Sequence, residues 1–126
     1  MTQAIAAGGT PLVALMHLGE SDIVAGTTQS NFYNRLVAMA DALYADLGIK
    51  VMVCKIQNLT TYGSGYSNAV VNAAIAAAWA DGGNVLPGPD FSDTTFSGDH
   101  LHAYTNEEMQ LLASRWYAAG VSAGLW

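Results

Sequence analysis

Two nearly unbroken apolar runs, Pro11–Leu18 (PLVALMHL) and Ile49–Ile56 (IKVMVCKI), constrain this chain more than any other feature. Apolar runs without a polar alternation are the mark of strands buried on both faces, as in a parallel sheet. Parallel neighbours need a crossover of a dozen or more residues, usually a helix. The segment between the two runs supplies one. Phe32, Leu36, Met39, Ala40, Leu43 and Leu47 recur three or four residues apart, with Ser30 placed as a cap and Gly48 as a stop. The spacing predicts a helix over Asn31–Leu47, preceded by a polar loop over Glu20–Thr28.

The pattern then repeats. Gln57–Gly65 is a Gly/Thr/Tyr-rich loop, Ser67 stands as the next cap, and Val70, Val71, Ala74, Ile75, Ala78 and Trp79 form an apolar stripe ended by Gly82 and Gly83. Asn84–Leu86 reads as a short third strand stopped by Pro87 and Pro89. After a polar loop over Asp90–Tyr104, Thr105 and Glu108 make a Thr-x-x-Glu capping box that opens a last helix. Met109, Leu112, Ala113 and Trp116 are its expected buried face, and Gly120 its expected end. Strands alternating with amphipathic helices define the α/β class, here one domain spanning the chain, with a three-layer α/β/α arrangement around a parallel sheet. Doubly wound sheets commonly have about five or six strands. An N-terminal β-α-β is therefore expected to be lacking, with Met1–Gly9 as the stub of the helix before the first strand.

Composition sharpens this expectation. Of 126 residues, 52% are hydrophobic and 11% charged, against roughly 25% charged in an average domain. Little polar material is left to cover the surface, so either much of the apolar surface faces a partner or part of a larger domain is missing. The net charge is −6, and Arg35, Lys50, Lys55 and Arg115 are the only fixed cations. No basic patch exists to neutralise phosphates, so nucleic acid is not an expected partner. Cys54 is the lone cysteine; it permits no internal disulfide and no cysteine-based zinc site, and it reads as a buried structural thiol. No apolar run reaches the roughly 20 residues of a membrane span, and the N-terminus lacks the basic start of a signal peptide. No membrane association and no cofactor are expected, and the compartment stays open.

In open α/β sheets the site lies beyond the carboxyl ends of the strands. That rule selects the loops Gly19–Thr28, Gln57–Gly65 and Pro87–Tyr104, which carry Glu20, Asp22, Asp99, His100 and His102.

Those residues also carry a resemblance. His17-Leu18-Gly19-Glu20-Ser21-Asp22, after an apolar strand, resembles the Gln-Gly-Glu-Ser-Asp block of the sialate O-acetylesterase and acetyl-xylan-esterase branch of the SGNH hydrolases. Gly98-Asp99-His100-Leu101-His102, ahead of the final helix, is similar to the Asp-x-x-His block of that superfamily. The resemblance implies a flavodoxin-like fold, His102 as general base and Asp99 as the group orienting its imidazole. It also implies Gly19 as an oxyanion donor and Glu20 as a loop support. Ser21 stands where many SGNH enzymes place an oxyanion-hole asparagine. Two departures stand out. Leu18 occupies the position of the branch's glutamine, and the N-terminal Gly-Asp-Ser or Gly-Gln-Ser-Asn nucleophile block has no counterpart ahead of the first strand.

Three serines compete for the missing role. Ser21 lies in the matching loop, Ser30 lies in a Gln29-Ser30-Asn31 mimic of the nucleophile block, and Ser64 lies in a Gly63-Ser64-Gly65 turn. The resemblance implies a hydrolase of small carboxylic esters, acetyl or short acyl, on a carbohydrate or similar alcohol. The alternative is a non-catalytic SGNH scaffold that associates through an exposed sheet edge. In either case a homodimer or other homo-oligomer is expected. A third reading is a metal-dependent phosphoesterase built on Glu20, Asp99, His100 and His102, with a metal site the weaker interpretation of the two histidines. His17, Trp79 and Trp116 read as core, Tyr62 and Tyr66 as loop tyrosines, and Trp126 as a free or docking terminus.

Overall fold

The computed structural model describes residues 13–59, 66–99 and 102–126. Expectations for Met1–Gly9, the start of the first apolar run, Tyr62, Ser64 and His100 lie outside the described residues.

Seven elements follow in the order β1 (Val13–Met16), α1 (Glu20–Val24), α2 (Gln29–Leu47), β2 (Lys50–Lys55), α3 (Ala69–Ala80), β3 (Val85–Asp90) and α4 (Asn106–Ser122). The three strands form a parallel sheet in the order β1-β2-β3. Both crossovers step in the same direction, and the right-handed rule then places α2 and α3 on one face of the sheet. The two helices pack on each other and on β2, while α4 packs against β3.

Alternation along β2 explains why its interior, Val51–Cys54, is wholly apolar. Val51 and Val53 join Ala14 and Val85 in a core with Phe32, Leu36 and Ala40 of α2 and Val71, Ala74, Ile75 and Ala78 of α3. Met52 and Cys54 point to the opposite face and are also fully buried. Strand β1 is less protected. It lies at the edge of the described sheet, and Leu15, the register partner of Met52, is 48% exposed.

Several local expectations are corrected. The segment after Gly19 is not all loop, because Glu20–Val24 closes a short helix. Thr28 rather than Ser30 caps α2, its hydroxyl accepting from Asn31 N–H, and Ser30 lies inside the first turn. Gly48 ends α2 in the left-handed conformation, as expected. Asn68 occupies the N-cap position of α3 without a side-chain cap bond, and the expected Ser67 supplies the hydroxyl, accepting from Ala69 N–H at 3.3 Å. Strand β3 runs through Pro87 and Pro89 instead of stopping at Leu86. It is an edge strand of the described sheet, where a proline that cannot donate costs no ladder bond on the open side. Its pairing slips between Val53 and Lys55. Gly88 fits that slip, since a Cβ there would stand 2.4 Å from Val53 O. The indole Nε1 of Trp79 donates to the same carbonyl at 3.1 Å.

The capping box at Thr105 and Glu108 forms as expected, but α4 passes through Gly120 to Ser122. Its predicted buried face is also corrected: Met109 and Ala113 are exposed, Leu112 and Trp116 only partly covered, and Gly120 alone is buried. A helical apolar stripe is buried only if a second layer meets it, and among the described elements α4 packs chiefly against β3.

Candidate active site

Three chain segments converge beyond the carboxyl ends of the strands. A cleft of about 620 Å³ is lined by His17, Glu20 and Ser21 from the end of β1 and the start of α1, by Phe96, His102 and Ala103 from the segment after β3, and by Met109 and Leu112 of α4. This is the location the topological rule selects.

The β1 side turns sharply. Gly19 adopts φ 123° and begins α1 three residues after the strand ends. No other residue type fits there readily, because that φ strains an L side chain and a Cβ would lie 2.8 Å from Val71 Cγ1. The turn delivers Glu20 and Ser21 to the cleft. Asp22 goes elsewhere: its Oδ1 accepts from Arg35 Nη2 at 2.6 Å and from Thr27 Oγ1 at 2.9 Å, which fastens α1 to the start of α2.

His17 is held on several sides. Its Nε2 lies 2.8 Å from Gln57 Oε1 and 3.3 Å from Glu20 Oε1, and its ring stacks on Phe91 at 5.7 Å between centroids. Both oxygens are acceptors, so Nε2 carries the proton. Gln57 is fully buried at the end of β2. The neighbouring backbone is fixed from α3, where Asn72 exchanges two hydrogen bonds with the main chain of Ile56 and Asn68 donates to the carbonyls of Ile56 and Gln57. His17 is therefore a satisfied histidine, as the sequence suggests, and it also forms a wall of the cleft.

Opposite it, Asp99 and His102 meet. Asp99 Oδ2 lies 2.7 Å from His102 Nδ1, and Asp99 Oδ1 accepts from the His102 backbone N–H at 3.0 Å. The carboxylate selects the tautomer with the proton on Nδ1, leaving Nε2 as the basic nitrogen. Tyr104 Oη donates to Asp99 Oδ2 at 3.2 Å, and this bond holds the phenol above its ordinary titration range. The imidazole is 73% exposed, so the segment around it and not packing sets its position.

Glu108 fixes that segment. One carboxylate oxygen accepts from Ser97 N–H at 2.6 Å, and the other accepts from Tyr104 and Thr105 N–H at 2.7 and 3.0 Å. These bonds, from Ser97, Thr105 and Tyr104, hold the Glu108 carboxyl down to about 2. The two ends of the stretch that carries Asp99 and His102 are thus tied to one side chain on α4. The capping box in the sequence signals the Thr105 bond, but nothing in it signals Ser97. Beside it, Arg115 Nη1 pairs with Asp93 Oδ1 at 2.9 Å, and Lys55 pairs with Asp90 at 2.7 Å.

Of the competing serines among the described residues, Ser21 lines the cleft with His102, and no hydrogen bond joins the two side chains. Ser30 borders a separate depression with Tyr33 and with Ala77 and Asp81 at the end of α3. No group of three or more His, Cys, Asp or Glu side chains among the described residues is arranged to hold a metal ion. No described helix is long and apolar enough to cross a membrane. Neither a protein-family model, nor a curated protein, nor a solved structure matches this chain.

Proposed function

We propose that the chain is a hydrolase of small carboxylic esters, acting by serine-type acyl transfer in the cleft between the end of β1 and the segment before α4. The observation that carries this reading is the Asp99–His102 pair, 2.7 Å apart, opening on the same cleft as Ser21. Ser21 Oγ attacks the ester carbonyl carbon while its proton passes to His102 Nε2. The ester C–O bond then breaks, and the imidazolium returns the proton to the departing alcohol. Water attacks the acyl-serine by the same route and releases the acid. Proton transfer by a positioned base contributes roughly 10²–10⁴ in rate. Asp99 holds the tautomer and stabilises the imidazolium.

Ser21 is the nucleophile in this reading because it follows a strand, a glycine at positive φ and a helix start, the local plan of a nucleophile elbow. Apo geometry often leaves nucleophile and base apart until substrate binds. The sequential parallel order β1-β2-β3 agrees with the later strands of a flavodoxin-like, three-layer SGNH sheet. In such a sheet α4 lies on the face opposite α2 and α3, and further strands flank β1.

The test is hydrolysis of p-nitrophenyl acetate by the purified chain, by His102→Ala and by Ser21→Ala, alongside labelling with a fluorophosphonate. Turnover lost in both variants, with label on Ser21, is the expected result. Turnover and labelling undiminished in Ser21→Ala would remove Ser21 from the mechanism, and full activity in His102→Ala would remove the mechanism itself.

A second reading is favoured by one observation, large apolar side chains left exposed among the described residues at both flanks of the sheet. Leu15 on β1 and Tyr117 and Val121 on α4 are large apolar side chains left exposed. An open edge strand is a template for association. In this reading the chain is a scaffold that assembles with a second copy, whether or not it turns over esters. Elution as a dimer at micromolar concentration, abolished by Leu15→Lys, supports it; a monomeric wild type opposes it.

A further inference from the structure

The cleft is two-sided. Its polar side is His17, Glu20, Ser21 and His102; its other side is Phe96, Met109 and Leu112. Phe96 is fully buried and gives that side a rigid floor, whereas Met109 is 56% exposed although it borders a concave site. A methionine left open there is an adaptable apolar surface. Among the described residues, the lining contains no Lys or Arg, and its one carboxylate is Glu20. A substrate carrying its own carboxylate or phosphate would meet Glu20 without a compensating cation.

We infer that the cleft takes esters of uncharged acyl groups longer than acetyl, with the hydrocarbon lying along Met109 and Leu112 and the carbonyl facing Ser21 and His102. This rests on the esterase reading of the cleft and names its substrate class. A longer chain covers more of the apolar α4 wall than an acetyl group does. Burying one methylene fully is worth about fourfold in kcat/KM, and a half-open wall returns about twofold.

The experiment is kcat/KM for p-nitrophenyl acetate, butanoate and octanoate with the wild type and with Met109→Gln. That substitution keeps the length of an exposed side chain and removes its apolar character. The octanoate-to-acetate ratio should exceed tenfold in the wild type and fall at least fivefold in the variant. Acetate as the best substrate, or a ratio unchanged by Met109→Gln, would overturn the inference. If no ester is turned over, the esterase reading fails on its own account. The acyl site is then decided by NMR titration with octanamide and acetamide. Octanamide shifting the Met109 methyl resonance where acetamide does not supports the site, and no shift with octanamide overturns it.

Discussion

The carboxylate of Asp99 grips His102 twice, through Nδ1 at 2.7 Å and through the backbone N–H at 3.0 Å, so ring and main chain are positioned by one group. The second bond fixes where the residue sits, and the first fixes which nitrogen is basic. Asp99→Asn keeps the shape but replaces one acceptor oxygen with a donor, which favours the wrong tautomer. Ester turnover should fall by roughly 10²–10⁴, less than in His102→Ala, with the thermal midpoint little changed because asparagine fills the same volume and the His102 imidazole is largely exposed. The measurement is kcat for both variants beside their melting curves. Equal activity in Asp99→Asn and wild type would mean that the pair is only structural.

Glu108 should matter to the same site without touching it. Its carboxylate accepts three backbone N–H bonds that bracket Asp99 and His102. Its folded value of about 2 lies below the ordinary 4.5, so the stabilisation is fully present above pH 4.5. It is lost as pH falls from there toward 2. Glu108→Gln removes the charge and one acceptor oxygen. The expected outcome is a flatter acid limb in stability against pH between about 4.5 and 2, and lower kcat at pH 7 with the helices retained by circular dichroism. An acid limb identical to that of the wild type would show that other carboxylates govern acid unfolding.

Cys54 provides a test of burial on the face of β2 opposite α2 and α3. Burial pushes its thiol up to about 12, with the charge of Glu20 adding to the shift. A thiol raised in this way has almost no thiolate at pH 8 and little access for a reagent. Iodoacetamide should leave the folded chain unmodified over hours at pH 8 and label it within minutes in denaturant, read by mass. The raised value also means that the stabilisation is present below pH 9 and is lost as pH rises from 9 toward 12. Rapid labelling of the native chain would show that this face opens.

How much of this was legible in the sequence follows from how local each feature is. The Thr105–Glu108 box and the Gly48 stop are written within a few residues and form as read. The prolines of β3 misled because a strand's place at a sheet edge is not a local property. The stripe on α4 has the right period with another consequence, since burial needs a facing layer and Met109 meets none among the described residues. Within the site, the Asp99–His102 contact spans three residues and was within reach of spacing arguments. The contact of His17 with Gln57 spans 40 residues, and no pattern in either strand announces it. Asp22 looked like a site residue by its neighbours but is drawn away by Arg35, 13 residues further on.

The C-terminus offers a sign test. Trp126 folds back on α4, its Nε1 donating to Tyr117 O at 3.2 Å and its ring covering Gly120, where a Cβ would stand 1.9 Å from Cζ2. In a helix, Ala in place of Gly is worth about 1 kcal/mol in favour of folding. At Gly120 that gain is opposed, because the methyl group expels an indole that is 51% exposed and thus about half buried. Releasing half of a large aromatic costs on the order of 1–2 kcal/mol. Gly120→Ala should therefore be neutral or destabilising in the wild type. In a Trp126→Ala background the same change should be stabilising by about 0.5–1 kcal/mol, because the obstacle has gone. Chemical denaturation of the four proteins in this cycle gives the coupling directly. Gly120→Ala stabilising by the same amount in both backgrounds would show that the indole does not rest on the helix in solution.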